Sequence, residues 1–204
     1  MPRTIDHDAR RAELAEAVWR VILHRGIGAV SVRTVAAEAG VVVGSLRHLF
    51  PTRAGLIAFS AELMIARATE RLRSVVSTGD APVDALALLR QLLPLTPDSR
   101  AELEVNLALI AETPALPELA DIRDEAAAGI RRICVHVVCV LTGAAADAPH
   151  VAMDARRLHA LVDGLALQLL HAPELDGVAT AADQEAALEV LRAEIAGLAA
   201  RGGR

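Results

Sequence analysis

Apolar residues recur at three- and four-residue intervals along almost the whole chain, which predicts helices. The clearest case lies between residues 31 and 50. There Val32, Val35, Ala36 and Ala39 stand at i, i+3, i+4 and i+7 and form one buried helical face. Ser31 precedes the run and can accept from first-turn amides, as an N-cap does. Gly40 follows it and can take the left-handed conformation that ends a helix. A second short run starts near Val43 or Gly44 and is expected to bury Leu46, Leu49 and Phe50, with Ser45, Arg47 and His48 outside. Two short helices, a glycine turn and a polar outer face suit a DNA-reading helix-turn-helix. The same pattern also fits an ordinary αα-hairpin.

The remaining pattern predicts further helices, punctuated by proline at 51, 82, 94, 97, 114, 117, 149 and 173. A first helix is expected from about Asp8 to Arg25, with Leu14, Val18, Val21 and Ile22 inward and Gly26 as its stop. A long helix follows from about Thr52 to Val76, with Leu56, Phe59, Leu63 and Leu72 inward. Later helices are predicted over 82–93, 98–112, 117–142, 152–171 and 183–200. No alternating run calls for a strand, and the Arg-Gly-Gly-Arg tail is expected to fray. The expected fold is all-α, with about nine helices in two parts. Residues 1–53 form a three-helix head, and a long helix joins it to a helical body over 54–204.

Composition narrows the class. The chain has 204 residues, 53% hydrophobic and 23% charged, which suits a globular protein with a real core rather than a disordered one. The longest apolar stretches are broken by His136, Asp163 and Gln168 and fall short of the run of about 20 residues that a spanning helix needs. The N-terminus lacks the apolar region of a signal peptide, so a cytoplasmic protein without a membrane partner is expected. Every basic residue is Arg. Residues 1–57 carry eight Arg and five acids, a net of +3, while residues 58–204 carry thirteen Arg and twenty-one acids, a net of −8. A basic first quarter on an acidic body suits a head that neutralises phosphate.

Catalytic and metal chemistry finds little support. Cys134 and Cys139 are five apart in one expected helix, so they point to different faces and read as small buried hydrophobes. The sequence holds no HExxH, no GxSxG, no glycine-rich phosphate loop and no Cys–His metal spacing. Neither an enzyme, a metal site nor a cofactor is expected.

The head resembles the TetR family of transcriptional regulators. The matching residues are Gly26, then Ser31-Val32 through Val35-Ala36 to Ala39-Gly40-Val41, then Gly44, Leu46, Phe50-Pro51-Thr52-Arg53 and Leu56. Two positions depart from the family pattern. Its usual Tyr after the Leu is Arg47, and its usual His or Tyr before the Phe is Leu49. Arg47 can still meet a phosphate through charge, and Leu49 cannot. Arg at the first of these positions is similar to a choline-responsive, BetI-like branch. Leu161-Val162-Asp163-Gly164-Leu165-Ala166-Leu167 is weakly similar to a stretch of the same branch.

The resemblance implies double-stranded operator DNA as a partner, read by the second short helix in the major groove. The expected DNA-contacting residues are Arg33, Thr34, Val43, Gly44, Ser45, Arg47, His48, Thr52 and Arg53, with Arg3, Arg10 and Arg11 as a basic arm. Thr52 and Arg53 open a helix and so offer an anion site. The resemblance also implies a homodimer built from the last two helices. Its expected face is Leu158, Leu161, Val162, Leu165, Leu169, Leu188, Leu191, Ile195 and Leu198, although these stripes could equally be intramolecular core. The operator is then a near-palindrome with half-sites about one to one and a half turns apart.

A small-molecule effector is implied for the body. Trp19, Phe50 and Phe59 are the aromatic residues, so no aromatic cage for a quaternary ammonium can form from the later helices. An aliphatic pocket for a lipophilic or flat neutral ligand is expected, oriented by Asn106, Ile110, His136, Leu165 and Gln168. The leading expectation is a repressor released by that effector. Alternatives are an effector-independent regulator or activator, and a helical interaction module.

Overall fold

The computed structural model describes residues 7–202. Nine α-helices account for most of them. They are α1 (His7–Arg25), α2 (Val32–Glu38), α3 (Val43–Leu49), α4 (Arg53–Arg73), α5 (Ala81–Leu89), α6 (Pro97–Glu112), α7 (Ala120–Thr142), α8 (Pro149–His171) and α9 (Ala181–Gly202). Short 3-10 turns stand at Ile27–Ala29, Arg90–Leu92 and Pro117–Leu119. Among the described residues, no single helix is long and apolar enough to cross a membrane.

Packing groups the described residues into two compact units. Among the described residues, one compact unit comprises those up to Ala66 together with Glu104–Arg123, and the other comprises Arg67–Leu103 together with those from Asp124 onward. The first unit therefore takes in most of α4 and the C-terminal half of α6. The physical reason is that α4 carries the stripe Leu56, Ile57, Phe59 and Met64, all buried, well past residue 53.

The first unit buries Leu14, Val18, Trp19 and Ile22 of α1, Val35 and Ala36 of α2, and Leu46 of α3. Ser31 caps α2 as expected. Its side chain accepts from the Thr34 amide at 3.1 Å, and the Thr34 hydroxyl accepts from the Ser31 amide at 3.0 Å. At the other end Gly40 has φ of 65°. The Val41 amide donates to the Ala36 carbonyl at 2.9 Å and the Gly40 amide to the Ala37 carbonyl at 3.3 Å, a Schellman stop. Arg20 of α1 pairs with Glu38 of α2 at 2.8 Å, and that hydrogen bond holds the Glu38 carboxyl below its usual range.

The second unit buries Leu89 and Leu93, Cys134 and Val138 of α7, Leu158, Val162 and Leu169 of α8, and Leu191, Ile195 and Leu198 of α9 in one cluster. Burial pushes the Cys134 thiol up to about 12, in keeping with an inert core residue. Arg71 binds Glu102 through both terminal guanidinium nitrogens at 2.5 Å and donates to the Gln91 carbonyl at 2.9 Å. Burial raises the Glu102 carboxyl despite that pairing.

One feature departs from the expected all-helical pattern. Glu174–Leu175 and Val178–Ala179 pair as a two-stranded antiparallel hairpin, β1 and β2. Asp176 and Gly177 turn it with φ of 53° and 79°, as an Asp-Gly type I′ turn does. α9 continues through Gly202, so the helix takes in the first two residues of the tail. A Cβ at Gly202 would stand 2.6 Å from the Thr142 Cα, so only glycine lets the helix end lie so close to that backbone.

Candidate nucleic-acid interface

The helix-turn-helix exposes a polar surface on a buried apolar base. Leu46 alone of α3 is buried, which fixes the helix on its support. Gly44, Ser45, Arg47 and His48 are all exposed on the remaining faces, and Arg33 is exposed on α2. Val43 is 38% exposed. Of these, Ser45, Arg47 and His48 are the residues that the sequence pattern puts outside. Leu49, expected to be buried, is 53% exposed, since the seven-residue α3 ends there and Phe50 turns in instead. The Phe50 ring lies 5.0 Å from the Phe59 ring, tilted against it, which makes both part of the packing.

Other expected contacts are engaged within the chain. The Thr34 hydroxyl donates to the Ala29 carbonyl at 2.6 Å and completes the α2 cap, so this side chain serves the fold. The Thr52 hydroxyl accepts from the Gly55 amide at 3.1 Å and caps α4, with its own proton left to donate. Arg53 is exposed, yet its guanidinium meets Glu112 at the end of α6 at 2.5 Å. Arg10 pairs with Glu13 at 3.0 Å. Arg11 pairs with Glu62 and lies 4.9 Å from the centre of the Phe59 ring. Arg10 and Arg11 thus belong to the body of α1 rather than to a free arm, and Arg3 lies outside the described residues.

The expected effector residues divide between the two units. Asn106 and Ile110 belong to the first unit, and His136, Leu165 and Gln168 to the second. Ile110 is half exposed, Gln168 is exposed, and Leu165 is packed in the core. His136, expected inside an apolar stripe, is exposed and lines a cleft of about 400 Å³ between α5 and α7. Val75, Ala85, Leu88, Val137 and Val140 give this cleft apolar walls, and Ser77 and Asp84 stand at its edge.

Asp84 organises the loop beside the cleft. Its carboxylate accepts from the hydroxyls of Ser77 and Thr78 at 2.5 and 2.8 Å and from the amides of Thr78 and Gly79 at 2.8 and 3.3 Å. These bonds, the Ser77 hydroxyl first, bring its pKa down to about 2. Asp84 was not singled out from the sequence. The Ser-Thr-Gly-Asp run that precedes α5 is the signal that points to such a hydrogen-bonded turn.

The expected dimer face is also reassigned. Leu158, Val162, Leu165, Leu169, Leu191, Ile195 and Leu198 are buried within the single chain, and Leu161 and Leu188 pack against the same cluster. The inward stripes of α8 and α9 fill the core, which leaves the outward faces of these helices for any partner. Those faces carry Met153, Ala160, Leu167, Ala182, Ala186, Val190, Ala193 and Gly197, all exposed.

Comparison with known proteins agrees on both parts of the chain. Residues 14–58 match the family described as bacterial regulatory proteins, tetR family. Residues 83–200 match the C-terminal part of BetI-type transcriptional repressors. The HTH-type transcriptional regulator PksA of Bacillus subtilis (strain 168) is 36% identical over 176 residues, 85% of this chain and 84% of its own length. A transcriptional regulator from Rhodococcus sp. Rha1 superposes with a TM-score of 0.75 at 30% identity, over 92% of this chain and 95% of the other. The multidrug binding protein EbrR, solved with imidazole, gives a TM-score of 0.65 at 28% identity, over 95% and 93%.

Proposed function

The chain belongs to the TetR family of bacterial transcriptional regulators, and from that premise we propose that it is a cytoplasmic repressor released from a palindromic operator by a small effector. The observation that carries this reading is the polar, basic surface of the helix-turn-helix. Ser45, Arg47 and His48 are exposed on α3 beside Arg33 of α2 and Arg53 of α4, in a head whose net charge is positive. Such a surface suits phosphate neutralisation around a helix in the major groove. One short recognition helix reads few base pairs, so a homodimer reading two half-sites supplies the specificity.

The effector reading rests on the second unit. Its cleft has aliphatic walls and no Phe, Tyr or Trp in its lining, which favours a lipophilic or neutral small molecule over a quaternary ammonium. EbrR, similar over most of the chain, has been solved with imidazole and with ethidium, a flat lipophilic cation, so the likeness supports a small-molecule effector without fixing its charge. Release requires that the effector bind the conformation unfit for the operator more tightly than the fit one.

The test is a mobility shift with the purified protein on the DNA flanking its own coding sequence, across a salt series, with Arg47→Ala as control. A discrete, salt-sensitive complex on one palindromic segment, lost in the variant, is the expected result. Weak binding to all DNA, unchanged by the substitution, would count against the regulator and favour a helical interaction module.

A further inference from the structure

The helix-turn-helix exposes apolar side chains where its reading surface should be polar. Val42 is 75% exposed, and Val43 beside it is 38% exposed. Val42 occupies the N-cap of α3 with φ of −71° and ψ of 131° and offers no side-chain hydrogen bond to the helix. Ser, Thr, Asp or Asn at this position would satisfy a first-turn amide. The chain forgoes that cap and also leaves a branched aliphatic side chain in water. Neither choice helps the folded monomer, since Leu46 is the residue that anchors α3.

The setting narrows what could cover these methyl groups. Arg33, Ser45, Arg47, His48 and Arg53 are exposed on the same helix-turn-helix and the helix that follows it. A basic rim is complementary to nucleic acid and poorly suited to a second copy of the same rim. Valine can neither donate nor accept a hydrogen bond. Along the floor of the major groove, the one apolar group that a base pair presents is the C5-methyl of thymine. The N-terminal residues of a recognition helix are those that reach base edges.

We propose that Val42 and Val43 determine operator specificity by packing against thymine methyl groups in each half-site. This inference rests on the regulator reading above and adds to it a base identity and the group that reads it. Arg47 and Arg53 supply affinity through phosphates, while the valine pair discriminates A·T from G·C where the helix enters the groove.

The experiment uses the full-length protein. An operator is first selected from random duplexes, and each thymine of a half-site is then replaced singly by deoxyuridine. That exchange removes the methyl group and keeps every hydrogen-bonding edge. Binding is measured by fluorescence anisotropy at one salt concentration for the wild type, Val42→Ala, Val43→Ala and Val42→Thr, each checked for unchanged helix content.

One or two uracil positions near the start of α3 should weaken wild-type binding by about fourfold each, the effect of one buried methyl group. Val42→Ala or Val43→Ala should bind the thymine and uracil forms of its own position equally. Val42→Thr keeps the shape with one methyl fewer and should fall between. Equal wild-type affinity for all uracil duplexes overturns the inference and leaves the regulator intact, as does an unchanged thymine preference in both alanine variants. If selection enriches no sequence at all, the regulator reading fails first, and this inference with it.

Discussion

Arg47 shows how much one exposed side chain can carry. It stands exposed on α3 and meets no acidic side chain among the described residues, in contrast to Arg53, which meets Glu112. A guanidinium in that setting releases a condensed counterion when it meets a phosphate. Arg47→Ala should therefore weaken operator binding and reduce the slope of log affinity against log salt by about one. An unchanged slope with relaxed preference at one base pair would assign Arg47 to a base edge instead. Asp84 makes the opposite kind of statement, about the fold. Its pKa falls from 3.8 to about 2, so its ionised form stabilises the native state above the unfolded value. That contribution is lost as pH falls from about 4 through about 2. Denaturant titrations of Asp84→Asn should show a flatter loss of stability across that acid window than the wild type. Coincident slopes would mean that the Ser77–Thr78–Gly79 turn gains nothing from the charge.

At the scale of elements, the head was legible because its signals are local. The Ser31 cap, the glycine stop at Gly40 and the apolar spacing of α2 each act within a few residues, and all appear where the pattern predicts them. The Asp176-Gly177 turn was equally local, but its flanking strands are two residues long, too short for alternation to show. What the pattern could not reveal is pairing across the sequence. The meeting of Arg53 with Glu112 spans 59 positions, and no periodicity predicts it. The consequence is functional, because Glu112 ends α6 and Arg53 opens α4. A phosphate arriving at the start of α4 must displace Glu112 or share the guanidinium with it. A half-exposed pair of this kind contributes at most about 1 kcal/mol. Glu112→Gln should therefore raise operator affinity by about twofold to fivefold. In an Arg53→Ala background the same substitution should change nothing, and a double-mutant cycle by anisotropy reads the difference. An equal gain in both backgrounds would show that Glu112 acts by bulk charge repulsion rather than through Arg53.

For the molecule as a whole, apolar periodicity identified α8 and α9 but left open which partner their stripes face. A leucine stripe buries equally well against its own chain or another, and in this fold Leu158, Leu191 and Leu198 are buried within one chain. The outward faces left for the proposed second copy carry small residues instead. Gly164 and Gly197 sit inside helices, where glycine costs about 1 kcal/mol relative to alanine. A Cβ at either would meet nothing within 4 Å of its own chain. Nothing inside the single chain therefore requires glycine at these two positions. Close approach of another helix from outside gives a reason, as do the exposed Ala160, Ala186 and Ala193 on the same outward faces. Gly197→Leu should accordingly keep or slightly raise the stability of the isolated chain while shifting sedimentation from dimer to monomer. Operator affinity should fall with it, because two half-sites are no longer engaged together. Leu191→Ala should do the reverse, losing about 2 to 5 kcal/mol in denaturant unfolding through a core cavity. A Gly197→Leu protein that still sediments as a dimer and binds its operator would place the contact between copies on another surface.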